Sequence, residues 1–164
     1  RKYMNPSVSL DPVKPNKLEH HYILFRYAEI LLNYAEAMNE WKGPDATADQ
    51  CSVTARAALN MVRDCAGMKH VEESGVAFTE KIRNERRIEL AFEGHRFYDI
   101  RRWKIAGNDE VRNVYGIKIV KSGDTFAYSK VLLNRSHWDD KMYLFPYPQN
   151  EVYMNPNLIQ NPGW

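Results

Sequence analysis

Cysteine is scarce in this chain of 164 residues, which holds only Cys51 and Cys65. The local pattern places both on one helix. At 1.5 Å of rise per residue their separation is roughly 21 Å, far beyond disulfide reach. Cys51 is expected as a small core residue and Cys65 as a similar or partly exposed one. Neither reports a redox compartment, and bacterial surface proteins do not require disulfides. Long apolar runs are also missing. No segment reaches about eighteen uncharged apolar residues, so no membrane-spanning helix is expected.

Charge of one sign is lacking too. The formal net charge is +2, and there is no basic run and no zinc-finger spacing. That excludes an electrostatic footprint for nucleic acid or an acidic lipid surface. Gly-x-Ser-x-Gly, Gly-x-Gly-x-x-Gly and a Walker lysine loop are absent, and neither cysteine has a histidine at motif spacing. His20 and His21 follow a proline-rich loop beside Glu19, but no third ligand is placed, so no metal site and no cofactor are expected. An initiating methionine is missing as well: the chain opens Arg1-Lys2-Tyr3-Met4-Asn5-Pro6. It reads as one part, 1–164, of a longer polypeptide cut on its N-terminal side, with any leader or anchor upstream.

What is present is a globular composition. Hydrophobic residues make up 44% and charged residues 27%, enough for one domain with a core. Ten tyrosines and four tryptophans stand out. They fit a largely helical protein with bulky core side chains, or one whose surface stacks on ligands.

Residues 1–21 read as a loop broken by Pro6, Pro12 and Pro15. Residues 22–40 form an amphipathic helix. Ile23, Tyr27, Ile30, Tyr34, Met38 and Trp41 recur at spacings of three and four, with Leu24, Ala28, Leu31 and Ala35 beside them. Arg26, Glu29, Asn33, Glu36 and Glu40 make the polar stripe. Gly43-Pro44-Asp45 ends it. A second helix over 46–66, capped by Asp45 or Thr47, carries a stripe of mostly small residues (Cys51, Ala55, Ala58, Leu59, Val62, Ala66) and stops at Gly67. A large-residue helix followed by a small-residue helix makes a TPR-like antiparallel pair. One pair alone exposes its sides, so other elements of the chain or further repeats must cover it.

A long third helix spans 79–103 in two segments, with Thr79 at its N-cap and Gly94 marking a bend or a small-residue contact. Periodicity then fades over 104–141. Val114–Val120 and Phe126–Leu133 could form a short hairpin around Ser122-Gly123-Asp124. From Tyr143 to Trp164 the chain is rich in proline and asparagine, an extended tail held by its aromatic, leucine and isoleucine anchors. The fold class is therefore mainly α.

The third helix carries the most tempting catalytic groups. Glu85, Glu89 and Glu93 recur every four residues on one face, and His95 and Asp99 are also four apart. Yet there is no Glu-x-x-His pair, and each acid has an arginine nearby: Arg86 for Glu89, and Arg96 for both Asp99 and Glu93. That pattern reads as an ion-pair lattice locking the helix to the helix pair and the tail. Aromatic residues are the better ligand groups, because a sugar ring stacks its apolar face on Trp or Tyr while Asn, Asp and Arg take its hydroxyls. Trp138 with Asn134, Arg135, Asp139 and Asp140 has that composition, and Trp41 near the helix turn is a second candidate. Trp103 and Trp164 read as structural anchors.

Three stretches together resemble the C-terminal region of the SusD/RagB family. They are Arg26 to Ala37 (RYAEILLNYAEA), Glu85 to Trp103 (ERRIELAFEGHRFYDIRRW), and Tyr143 to Glu151 (YLFPYPQNE) followed by Asn155-Pro156-Asn157-Leu158 and Gln160-Asn161-Pro162-Gly163-Trp164. The second is the most specific. Tyr147 stands between two prolines where the family usually has Ile. The resemblance covers 22–103 and 143–164; residues 1–21 and 104–142 match nothing placed. It implies a helical outer-membrane lipoprotein with TPR-like pairs, tethered by an N-terminal lipidated cysteine. Such a protein faces the cell exterior, caps a SusC-like TonB-dependent transporter, and delivers glycans or peptides to it without acting as an enzyme. In the family the ligand surface lies largely outside this region.

The leading expectation is glycan capture at the cell surface for import. One alternative is a TPR-type protein–protein scaffold of the uptake complex. Another is a carboxylate-dependent glycoside hydrolase using Glu85, Glu89 or Glu93 with Asp99. The ligand's identity does not follow from the fold.

Overall fold

The computed structural model describes residues 7–9, 11–14, 16 and 24–164. His20, His21 and Ile23 lie outside the described residues. The chain divides into two compact units, one ending at Leu90 and one beginning at Ala91.

The first unit is built on three helices: α1 (Tyr27–Lys42), α2 (Ala55–Cys65) and α3 (Gly75–Glu89). α1 begins later than the periodicity predicts, because Arg26 is extended at its N-cap. It ends as predicted at Gly43, whose φ of 88° few other residues tolerate. Its buried face is shifted from the predicted one, which Met38, Ala35 and the packed Ala28, Leu31 and Tyr34 bear out in part. Leu32, Ala35 and Met38 enter the core with Glu29, while Tyr27, Ile30 and Trp41 face outward. The cause lies on α2, which presents Ala55, Ala58 and Leu59. Small residues let the helices approach closely, and the slim Leu32 and Ala35 of α1 fit that space, with Tyr34 packed at its border.

α2 also starts late. The 46–54 segment is a loop closed by reciprocal Ala48–Cys51 backbone hydrogen bonds and pinned by the Tyr34 hydroxyl, which donates to the Val53 carbonyl at 2.6 Å. Thr54 caps the helix, accepting from the Ala57 amide at 3.0 Å. Neither Asp45 nor Thr47 is the cap; Asp45 instead engages Arg56. Cys51 therefore sits in the loop, and only Cys65 is helical; both are free thiols. Gly67, at φ 66°, terminates α2 as expected: Met68 N–H bonds Arg63 O and Gly67 N–H bonds Asp64 O.

The two segments expected of the third helix are separate helices. α3 starts before Thr79, whose hydroxyl accepts from Asn39 of α1 at 3.0 Å and so does not cap. Phe78 and Ile82 of α3, with Leu90 just past its end, pack into the α1–α2 core. A third helix of this chain thus covers one side of the pair. The run breaks after Glu89, with Phe92 and Gly94 in left-handed conformations before α4 (His95–Arg102).

The second unit contains α4, a short α5 (Asp109–Arg112), strands β1 (Asn113–Ser122) and β2 (Thr125–Arg135), a 3-10 turn (Asp140–Tyr143) and α6 (Gln149–Met154). The predicted hairpin is present and longer than predicted. Its strands are antiparallel with Ser122 opposite Thr125, so Gly123 and Asp124 form a two-residue turn. Gly123 at φ 60° takes the position that requires glycine. A bulge between Val114 and Tyr115 leaves Leu133 without an opposite residue. The leucine crosses over Gly116, where a Cβ would lie 2.6 Å from its Cδ1. The tail is not wholly extended, since α6 interrupts it. Hydrogen bonds fold it back: Tyr147 and Gln160 exchange two, and the Trp164 indole donates to the Lys141 and Leu144 carbonyls, while Leu158 is half-buried. Ile159 is exposed.

Burial is unequal between the units. Among the described residues from Ala91 onward, only Asp99 and Ala106 are buried. Seventy-odd residues with so little inside have no hydrophobic core of their own.

Candidate functional site

The carboxylates of α3 are held by arginines on other elements. Glu85 receives Arg63 of α2 at 2.5 Å, with 8% and 15% of the two side chains exposed. Glu89 pairs with Arg26 at the start of α1 at 2.5 Å, and the same guanidinium bonds the Glu89 backbone carbonyl. Arg86, almost wholly buried, donates to Asn33 at 2.6 Å and lies 3.5 Å from Glu36, both on α1. The expected lattice is therefore present between α3 and the helix pair, through arginines and an asparagine on elements that same-helix spacing does not name. Glu93 lies past the end of α3, so the three glutamates do not line one helical face. In the second unit the buried Asp99 receives Arg102 at 2.8 Å. Among the described residues no group of three or more His, Cys, Asp or Glu side chains could hold a metal ion.

The aromatic candidates fare differently. Trp138 is half-buried, edge-on to Tyr143 with ring centres 4.8 Å apart, and its indole edge lies against Gly107. Arg101 stacks over Phe97 at 3.6 Å and lies 5.3 Å from the Trp138 ring. Its Nε also donates to the Met142 carbonyl at 3.2 Å. Asn134, Arg135 and Asp139 are exposed near the base of the hairpin. Arg135 pairs with Asp109, and Asp139 accepts from the Lys141 amide at the 3-10 turn. Trp41 belongs to the first unit. It is 65% exposed, with the Lys42 ammonium 4.2 Å from its ring centre.

Two features escape motif-based reasoning. The first is a half-open cleft of about 350 Å³ in the first unit, walled by Tyr27, Leu31, Met61 and Cys65, with Arg26 and Glu89 at its polar end. It assembles residues from three separate segments, and no local spacing announces it. The second is the exposure of the hairpin on both faces. In the loop before α2, hydrogen bonding to Tyr34 and to the Val53 backbone holds the Cys51 thiol below its usual pKa.

The sequence profile of the SusD family matches residues 1–164. The match includes 1–21 and 104–142, which have no recognisable motif. SusD-like protein P2 of Formosa agariphila is 35% identical over 149 residues, covering 88% of this chain and 26% of that protein. SusD-like protein P25 of the same organism is 36% identical over 174 residues, covering 97% and 27%. The crystal structure of a SusD-like protein from Bacteroides fragilis superimposes with a TM-score of 0.70 at 38% identity, covering 88% of this chain and 26% of that one. The chain thus spans about a quarter of the length of the relatives it matches. With its profile matched from end to end and its fold shared, the chain belongs to the SusD family.

Proposed function

We propose that the polypeptide containing these residues captures oligosaccharide at the outer face of the outer membrane. It hands the sugar to a SusC-like TonB-dependent transporter, making and breaking no bonds itself. Family membership along the whole chain is the observation that carries this proposal. The chemistry of the charged residues supports it. Hydrolysis needs a pair of carboxylates facing a shared cleft. Glu85, Glu89 and Asp99 are each engaged by an arginine, and Glu85 and Asp99 are buried.

For ligand contact within these residues, Trp41 offers an exposed ring flanked by a lysine, a geometry suited to stacking a sugar face. Trp138 with Asn134, Arg135 and Asp139 is the second proposed contact. Its polar members are exposed while its indole is packed, so hydroxyl hydrogen bonding would dominate there. The outward row of Tyr27, Ile30 and Trp41 favours a different use of α1, as a scaffold surface for another protein of the uptake complex.

A glycan array on the full-length protein, wild type beside Trp41→Ala and Trp138→Ala, tests the proposal. Binding weakened about tenfold by either change locates a contact in these residues. Binding unchanged in both places the contacts elsewhere in the polypeptide, and no glycan binding at all by the wild type rejects capture.

A further inference from the structure

The second unit has no apolar core of its own, so the pose of a large side chain there rests on a few specific contacts. Trp138 makes three, all inside that unit. Its pyrrole edge lies on Gly107, where a Cβ would come within 3.1 Å of Cδ1 and 3.3 Å of Nε1. Tyr143 meets the ring edge-on. The guanidinium of Arg101 lies 5.3 Å from the ring centre, within cation–π range.

This pose runs against the preference of the indole itself. Trp138 Nε1 is buried and has no hydrogen-bond partner among the described residues. A buried indole N–H usually finds an acceptor, and leaving it unpaired costs free energy. Native structures hold few such groups, and each needs a compensating cause. A ring free to turn would bring that N–H to a carbonyl or to water. The neighbours of Trp138 therefore hold it where it would not settle alone.

Arg101 is the neighbour able to impose the pose, because it is itself anchored. Its guanidinium stacks over Phe97 at 3.6 Å, and its Nη1 donates to the Phe97 carbonyl at 2.8 Å. Phe145 stacks in turn on Phe97, with ring centres 5.7 Å apart. From this seat Nε donates to the Met142 carbonyl at 3.2 Å. One planar group thus joins α4 to the 3-10 turn that follows Trp138. The turn is closed by its own hydrogen bonds, Lys141 N–H to the Asp139 carboxylate and Met142 N–H to the Asp139 carbonyl, so gripping Met142 grips the whole turn. A lysine would carry the charge but neither the plane nor the fork.

We infer that Arg101 is the positioning residue of the Trp138 contact, a role that rests on Trp138 being a glycan contact as proposed above. By stacking on Phe97 and bonding Met142, Arg101 presents the indole in one pose before a sugar arrives. A ring already fixed loses no rotamer freedom on binding, so affinity rises without any added contact. Arg101 acts through Trp138 and the turn, and does not itself touch the sugar.

The full-length protein on the glycan array tests this as wild type, Trp138→Ala, Arg101→Lys and the double variant. Each single change should weaken binding about tenfold, and the double variant should bind no more weakly than Trp138→Ala alone. Fluorine NMR of the fluorotryptophan-labelled protein reads the pose itself, from the resonance that vanishes in Trp138→Ala. That resonance should be single and sharp in the wild type and broadened or split in Arg101→Lys. If Trp138→Ala weakens binding while Arg101→Lys binds as the wild type does, the inference alone is overturned. An unchanged resonance in Arg101→Lys, or additive losses in the double variant, overturns it equally. Undiminished binding by Trp138→Ala removes the contact and the role of Arg101 with it. No binding by the wild type rejects capture itself, and this role with it. If Arg101→Lys does not fold, Phe97→Leu, which removes the ring beneath the guanidinium, is read in the same way.

Discussion

Arg63 on α2 and Glu85 on α3 share a 2.5 Å ion pair that is largely removed from water and ties two successive helices together. Removing one partner strands the other charge in a poorly solvated site. Glu85→Gln or Arg63→Met is expected to cost about 3–5 kcal/mol in urea unfolding. The double replacement Arg63→Met with Glu85→Leu should recover much of that loss, because two apolar groups leave no charge behind. A double variant as unstable as the sum of the singles would show that the pair does not act as a unit.

Arg56 makes a two-pronged pair with Asp45 at 2.6 and 2.9 Å. It also donates to the carbonyls of Val71 and Glu73 and to the Ser74 hydroxyl, joining the loops on either side of α2. Arg56→Ala should cost about 2 kcal/mol or more. The Arg56 hydrogen bond holds the Asp45 carboxyl below its usual range. A carboxylate with a lowered folded pKa adds stability that is present above its unfolded pKa and is lost as pH falls through the folded one. Stability should therefore decline below about pH 4, and Asp45→Asn should lower the neutral-pH plateau and flatten that acid limb, so that the two proteins converge at low pH. Identical acid limbs for the two proteins would dissociate Asp45 from the effect.

The orientation of α1 separates two neighbouring residues. Leu32 is wholly buried and Ile30 about half exposed. Leu32→Ala should cost about 2–5 kcal/mol and Ile30→Ala about 0.5 kcal/mol or less, read by thermal or urea unfolding. The reverse order would restore the face that periodicity favours.

That contrast shows where sequence reading stopped. The helices, the hairpin with its Gly123 turn, the Gly67 stop and the break near Gly94 were legible, because caps, glycines and alternation act over a few residues. The centre of the buried face of α1, at Leu32, was not. Two apolar rows run along it, and the small residues of α2 chose between them. The late start of α2 was missed because Thr54, Thr47 and Asp45 all have capping chemistry, and Arg56 claimed Asp45. The arginines that reach Glu85 and Glu89 from other helices were not legible either: spacing names neighbours on one helix, whereas Arg63 and Arg26 come from α2 and the start of α1. The cleft beside Arg26 joins residues from three segments and has no local signature.

Gly116 and Leu133 offer a test of the hairpin register. A Cβ at Gly116 would meet the leucine side chain. Gly116→Ala should lower stability by about 1 kcal/mol or more, and Leu133→Ala should be less harmful in that background than in the wild type. Additive losses would indicate that the bulge does not seat the leucine there.

The central claim is capture without chemistry, with the glutamates of α3 serving the fold. It is tested most directly by incubating the full-length protein with the oligosaccharides it binds and assaying new reducing ends, with Glu89→Gln alongside. No new ends are expected from either protein, and Glu89→Gln should lower the unfolding midpoint with ligand binding retained. New reducing ends from the wild type that vanish in Glu89→Gln would contradict the account and make α3 a catalytic element.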